Sequence, residues 1–171
     1  MEQELSASSQ PTMLPCMSLP LVEILGEIWE LPDSALRDRW SRCLREGVTG
    51  RRVDAATPYA WTSRATIASI EARSGQWLMF HAVGLSNDTG DVVALVGPSG
   101  TGKSTAARTI CHTDFGYVTD ETVAVRSDGS VVPFPKPISV IPEGGGAKIE
   151  KGPDELGLRL APEELQLRGI G

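Results

Sequence analysis

The chain has 171 residues, 40% of them apolar and 22% charged, with a formal net charge of −6, the profile of one globular domain or one domain with an appendage. The acidic balance excludes a general nucleic-acid or anionic-membrane surface, and no run of about 18 apolar residues offers a transmembrane helix. Cys16, Cys43 and Cys111 lie far apart, with neither zinc nor disulfide spacing, and are expected as reduced thiols of a cytoplasmic protein.

Met1 to Gln10 is polar and acidic, without the basic start of a signal peptide, and residues 1–18 predict a poorly ordered lead-in. Residues 19–75 predict a small α+β region, and residues 76–171 a second unit. In the first, Val22-Glu23-Ile24-Leu25 predicts a strand. Asp33 or Ser34 predicts a helix cap, with Leu36, Trp40, Cys43 and Leu44 on one face and Gly47 at the end. Residues 48–60 read as a loop, and Ser63 to Ser74 as a helix with Ile67 and Ile70 inward and Gly75 stopping it. With only 5% aromatic residues, the core is expected to rest on Val, Leu, Ile and Ala.

In the second unit Trp77 to Val83 is a continuous apolar run, hence a buried strand. Ser86-Asn87-Asp88-Thr89-Gly90 is turn chemistry, so this strand and Val92–Val96 predict an antiparallel hairpin. After it come a helix to about Cys111, strands at Tyr117–Thr119 and Thr122–Val125, and a turn at Ser127-Asp128-Gly129 into Val131-Val132. Pro133-Phe134-Pro135-Lys136-Pro137 excludes a central strand, and Ile138 to Ile141 predicts a returning one. Gly144 to Gly146 begins a loop, Pro153 to Gly157 is turn-like, and from Leu158 apolar residues recur without a clean period. The stretch from Trp77 onward is thin for a sheet covered on both faces by helices. It predicts an incomplete unit, or a sheet completed by a second copy in a homo-oligomer.

Between the apolar run Val92–Val96 and the helix stands Gly97-Pro98-Ser99-Gly100-Thr101-Gly102-Lys103-Ser104-Thr105. A glycine, four residues, then Gly-Lys-Ser, in a strand–loop–helix context, is the phosphate-binding loop pattern. Glycines let successive N–H groups curl around an anion in front of a helix N-terminus. Lys103 would reach the β- and γ-phosphates of a nucleoside triphosphate, and Ser104 would offer its hydroxyl to Mg²⁺. The metal needs a second anchor and the nucleophile an orienting group. Asp120, at the end of the Tyr117–Thr119 strand, is the candidate for both, and on an extended backbone Glu121 would point to the other side. His81 ends an apolar strand beside the loop, where it would contact the γ-phosphate or an acceptor, or else bond to backbone in the core. Lys136, framed by prolines, would clamp a phosphate or an anionic acceptor, or else stand solvated. Arg108 is read as a surface residue.

The loop followed by Tyr117-Val118-Thr119-Asp120-Glu121-Thr122-Val123 resembles the nucleotide-binding core of HPr kinase/phosphorylase and its relatives, a superfamily that includes the ATP-dependent phosphoenolpyruvate carboxykinases. The hairpin before the loop, with His81-Ala82, and the stretch Asp128-Gly129 to Lys136-Pro137 also resemble that group. The resemblance covers roughly residues 77–141. It implies an α/β fold, a P-loop NTPase of the HPr kinase/PEP carboxykinase type with a mixed sheet and flanking helices, and an ATP- and Mg²⁺-dependent kinase. In that family an Asp-Asp pair at the strand end supplies the base toward the acceptor hydroxyl and helps position the metal; here the pair is Asp120-Glu121. The implied acceptor is a hydroxyl of a protein, a peptide or a small molecule, with Asp120, Lys103, Glu121 and His81 in catalytic roles.

Two departures matter. A later Glu-x-Arg-Gly-x-Gly signature, whose glutamate helps hold metal in the family, has its counterpart in Gln166-Leu167-Arg168-Gly169-Ile170-Gly171, with glutamine in place of the acid. Residues 19–74 do not resemble the family's N-terminal domain, so HPr is not the implied substrate. The alternative is a nucleotide-binding regulatory or assembly module with little or no phosphoryl transfer. Carboxykinase chemistry, which needs a second metal with His and Lys ligands, is a weaker third reading in a chain whose histidines are His81 and His112.

Overall fold

The computed structural model describes residues 19–47 and 49–171; the predicted lead-in over 1–18, with Cys16, lies outside them. The first unit grows from a hairpin. β1 (Leu21–Ile24) pairs antiparallel with β2 (Glu27–Glu30) through Leu25 and Gly26, at φ 50° and 80°. Two successive left-handed residues match the twist of the flanking strands. Glycine suits the second position, because a Cβ there would lie 2.9 Å from the Arg73 guanidinium. β3 (Leu44–Arg45) adds to the other edge of β1.

The stretch before β3 is not the predicted helix. Asp33 accepts from the Ala35 N–H and caps only a 3-10 turn, Ser34–Leu36; a second, Ser41–Cys43, leads directly into β3. Leu36, Trp40 and Cys43 are buried as their spacing requires. Pairing Leu44 and Arg45 with Val22 and Leu21, however, demands extended backbone where the helix would run, and tertiary pairing overrides a weak helical preference.

α1 (Pro58–Ala72) begins well before Ser63, because the Thr57 hydroxyl accepts from the Ala60 N–H and Pro58 fits the first turn. Its inward face is Trp61, Thr62, Ala65, Thr66 and Ser69. Ile67, predicted inward, is 55% exposed, since it lies off the line of i and i+4 positions that Trp61, Ala65 and Ser69 define. Nor is this core aliphatic. Trp29, Trp40 and Trp61 are fully buried; Trp40 and Trp61 meet edge-to-face at 5.5 Å, and Trp29 Nε1 donates to Ser69 Oγ at 2.9 Å. The aromatic residues are few, but they are concentrated here.

The second unit is a mixed sheet of six strands. β4 (Leu78–Ser86) and β5 (Asp91–Val96) form the predicted antiparallel hairpin, closed by Asn87 Oδ1, which accepts from the N–H groups of Thr89 and Asp91. On the other edge of β4 lie β6 (Gly116–Thr119) and then β7 (Thr122–Val125), one interrupted strand rather than two neighbours; β8 (Val131–Val132) follows through the predicted turn. β9 (Ile138–Val140) and β10 (Ile149–Lys151) make a separate antiparallel pair. The last segment, read as having no element of its own, is β11 (Gln166–Ile170), an edge strand parallel to β5 with a bulge between Leu167 and Gly169.

α2 (Lys103–Ile110) packs on one face of this sheet, where Ala107 and Cys111 meet Val83 and Leu85. The other face buries Ala82, Val92, Ala94, Val118 and Val123 under Leu165. α1 packs instead against β1 and β10, so the mixed sheet stands as expected but is flanked by one helix. Phe134, Val132 and Ala124 join the tryptophan cluster, which fuses the first unit to the β7–β8 end of the sheet. The molecule is α/β, with a mixed sheet and few helices, none of them long and apolar enough to cross a membrane.

Candidate functional site

The glycine-rich loop spans the gap between the end of β5 and the start of α2. Gly100 and Gly102 stand at φ 85° and 88°, with open space where a Cβ would project. Among the described residues, the N–H groups of Gly102, Lys103 and Ser104 have no hydrogen-bond partner. They stand at the positive end of the helix dipole, an arrangement suited to an anion. The Lys103 ammonium folds back across the loop and donates to the carbonyls of Gly97 (2.5 Å) and Pro98 (2.9 Å), while Thr101 Oγ1 donates to Pro98 at 2.8 Å. The lysine therefore sits at the mouth of the cradle.

Asp120 and Glu121 occupy the interruption between β6 and β7, where β4 continues unbroken and its Ala82 N–H donates to the Glu121 carbonyl at 3.1 Å. In this break the backbone is not extended, and the expectation that the two carboxylates would diverge fails. Both reach Lys136, whose Nζ is 2.8 Å from Asp120 Oδ1 and 3.3 Å from Glu121 Oε2. Lys136 is not a solvated lysine. It is buried, and it also donates to the Pro137 carbonyl.

The Tyr117 hydroxyl completes the cluster, donating to Asp120 Oδ1 at 3.0 Å, with the Lys136 carbonyl 3.2 Å away. Burial pushes the Asp120 carboxyl up, but the charge and hydrogen bond of Lys136, with the Ser104 and Tyr117 hydroxyls, outweigh it and hold the group below its usual value. Burial alone would lower Lys136; the charges of Asp120 and Glu121 raise it instead, so it stays an ammonium.

His81 is exposed on β4. Its Nδ1 lies 3.0 Å from the Glu121 carbonyl, and because a carbonyl only accepts, Nδ1 carries the proton and Nε2 is left for a ligand. A cavity of about 540 Å³ joins these parts, lined by Ser99, Gly100 and Gly102 to Thr105 of the loop, but not Gly97, Pro98 or Thr101, and by His81, Asp120, Glu121 and Lys136. Arg108, read as a surface residue, is exposed and also lines it. Gln166 does not. It pairs with Asp91 at the far end of β5 from the loop and donates to the Asp128 carbonyl, so the acid of the expected signature has no counterpart at the cavity.

One wall was not foreseen. Tyr59, Thr62 and Ser63 from the first turns of α1 and Lys148 and Glu150 from the β9–β10 hairpin close the cavity. Glu150 is 5% exposed; its Oε2 accepts from Thr62 Oγ1 at 3.2 Å, and its Oε1 is buried without a partner. Burial raises this carboxyl, against the lowering by Thr62 and Lys136. No sequence signal pointed to it: a half-buried strand here would turn Ile149 inward, whereas Ile149 is exposed and Glu150 is buried.

Among the described residues no three His, Cys, Asp or Glu side chains converge closely enough to hold a metal by themselves. Cys43 and Cys111 are free and buried, and burial pushes their thiols to about 12 and about 11. No family model, curated protein or solved structure matches the chain.

Proposed function

We propose that the chain is an ATP-binding, Mg²⁺-dependent kinase of the HPr-kinase-like class, with a P-loop NTPase fold of that type, transferring the γ-phosphoryl group to a hydroxyl of a protein, peptide or small molecule. One observation carries the reading. A glycine cradle with unpaired N–H groups, a lysine at its mouth, the serine that follows that lysine, and a buried carboxylate held ionised by Lys136 all line one cavity.

The residues present fit ATP and Mg²⁺. Ser104 and Asp120 supply a hydroxyl and a carboxylate, the small protein contribution a magnesium ion needs when phosphates provide other ligands. Held there by Ser104 and Asp120, the ion would supply positive charge against the negative charge that develops on the transferred group. The loop N–H groups and α2 bind the β- and γ-phosphates, and Lys103 leaves the Gly97 and Pro98 carbonyls to follow the transferred group. Lys136 keeps Asp120 ionised, and Asp120 orients the acceptor. Glu121 fixes His81 through its carbonyl, and His81 presents Nε2 toward the acceptor. Incubation with γ-labelled ATP and a cell extract tests the reading: label should pass to an acceptor, and Asp120→Asn should abolish the transfer. Unchanged transfer by that variant removes Asp120 from its role.

One observation favours the second reading, a nucleotide-binding regulatory or assembly module. Lys136 already neutralises Asp120, and no acid stands at Gln166 to replace it. Tight ATP binding with no transfer to any fraction of the extract decides for that reading.

A further inference from the structure

We propose that Lys136 is a built-in counter-cation that closes the acid pair to free divalent metal, so that Mg²⁺ enters the site only together with the triphosphate. The proposal rests on the ATP- and Mg²⁺-binding reading above and adds an order of binding to it.

The ammonium sits where a cation among oxygen ligands would sit. Nζ is 2.8 Å from Asp120 Oδ1, 3.3 Å from Glu121 Oε2 and 3.0 Å from the Pro137 carbonyl. Its backbone is fixed as well. Lys136 stands between Pro135 and Pro137, its N–H donates to the Phe134 carbonyl at 2.8 Å, and its own carbonyl lies 3.2 Å from the Tyr117 hydroxyl. The side chain is buried, so this is a fixed charge and not one that trades places with water.

That charge decides what a free metal ion meets. Asp120 and Glu121 carry two negative charges, and Lys136 cancels one of them. Over the whole cavity the cations Lys103, Arg108, Lys136 and Lys148 outnumber the carboxylates of Asp120, Glu121 and Glu150 by four to three. A dication held by Asp120 also shares that carboxylate with an ammonium, and like charges so close repel strongly where water is scarce. No cage offsets the repulsion: among the described residues no three His, Cys, Asp or Glu side chains converge, and Mg²⁺ gives up its water reluctantly. A triphosphate reverses the balance. The unpaired N–H groups of Gly102, Lys103 and Ser104 and the same four cations favour it, and its oxygens bring the negative charge and the ligands that the protein does not supply alone.

The test uses the full chain, Mn²⁺ as the probe ion, read by electron paramagnetic resonance, and a non-hydrolysable ATP analogue. Wild type should bind Mn²⁺ with the analogue present, and more than about tenfold more weakly without it. Lys136→Gln removes the charge and should tighten Mn²⁺ without the analogue by at least about tenfold. Adding Asp120→Asn should remove that gain. A lysine that only props the fold would change stability and leave Mn²⁺ affinity alone. Because Lys136→Gln strands buried acids, its urea midpoint is followed too. Mn²⁺ should raise that midpoint, or refold a largely unfolded variant, and leave wild type unmoved, since a ligand of the folded state shifts the equilibrium toward it. Wild-type Mn²⁺ affinities within about tenfold with and without the analogue overturn the proposal. So does a Lys136→Gln chain with a smaller gain and no response of its folding to Mn²⁺. In both cases wild type still binds the analogue, and only the role of Lys136 is lost. If wild type binds no analogue, with Mn²⁺ or without it, the kinase reading falls and this role with it.

Discussion

The two halves of the molecule are held together by opposite chemistry. Around α1 and the β2–β1–β3 sheet, three buried tryptophans make an apolar core, and charges are kept outside as surface pairs such as Arg45–Glu23 and Arg51–Glu27. Around the cavity the buried groups are Asp120, Lys136, Glu150 and Tyr117, and the adjoining loop is glycine with open space around it. The first half gains stability from area removed from water. The second retains buried charge that is expensive to desolvate and adds little stability when paired, which points to a site kept for what it binds. Substitutions in the first half should therefore remove stability alone, and those in the second should remove activity with little change in stability.

Lys136 breaks that rule most strongly. Lys136→Met leaves Asp120 buried and unpaired, and stability should fall by about 3–5 kcal/mol, read as a lower urea midpoint. Adding Asp120→Asn should recover much of the loss, because the stranded charge is gone. No recovery would mean that Lys136 acts through packing. Trp61→Ala, in the apolar half, should also cost about 3–5 kcal/mol, yet leave affinity for the ATP analogue unchanged wherever the variant remains folded.

Lys103→Ala sharpens the contrast from the other side. Its ammonium touches only carbonyls of its own loop, so stability should stay within about 0.5 kcal/mol of wild type. Phosphoryl transfer should fall by about 10²- to 10³-fold, the usual loss of one charge-stabilising donor. A large loss of stability would mean that the lysine is structural here.

Glu150 gives the comparison a pH axis. Its carboxyl is raised in the folded chain, chiefly by burial, so the folded state holds a proton that the unfolded state releases. That contribution is fully present below the unfolded glutamate value and is lost as pH rises through the folded one. Glu150→Gln should remove the decline, making the variant relatively more stable at neutral pH than at acid pH. Thermal melts across the range check the sign, and a variant uniformly less stable than wild type would contradict it.

What could be read from the sequence was whatever is local. The glycine-rich loop, the Asn87 turn and the alternation around Val118 and Val123 carry their structure within a few residues, so the β4–β5 hairpin and the approach of Asp120 to the loop were legible. Three features were decided by distant partners instead. The stretch through Trp40 has helical spacing, but β1 takes Leu44 and Arg45 into a sheet. Gln166–Ile170 has no clean period, and the exposed edge of β5 makes it a strand. Glu150 belongs to no motif, and it enters the cavity only because the Gly144–Gly146 loop folds β10 back beside β9 and against α1. The lead-in over residues 1–18 and its Cys16 were read from composition alone and lie outside the described residues.

The smallest expected effect lies on a contact that ties the two halves together. Arg42, in the second 3-10 turn, forms a two-pronged pair with Asp154, Nε to Oδ2 at 2.9 Å and Nη2 to Oδ1 at 2.7 Å, and Ser41 Oγ adds a third bond at 3.0 Å. The Asp154 carboxyl is lowered, first by that hydrogen bonding from Arg42, so its contribution is present above the unfolded aspartate value and fades as pH falls through the folded one. Both side chains are nearly half exposed, and water and salt screen such a pair. Arg42→Ala should therefore cost less than about 1 kcal/mol, and the difference from wild type should shrink further in 1 M salt or below the aspartate range. A larger loss that persists in salt would show that this contact, rather than the shared packing of Phe134 and Val132 against the tryptophans, joins the apolar half to the charged one.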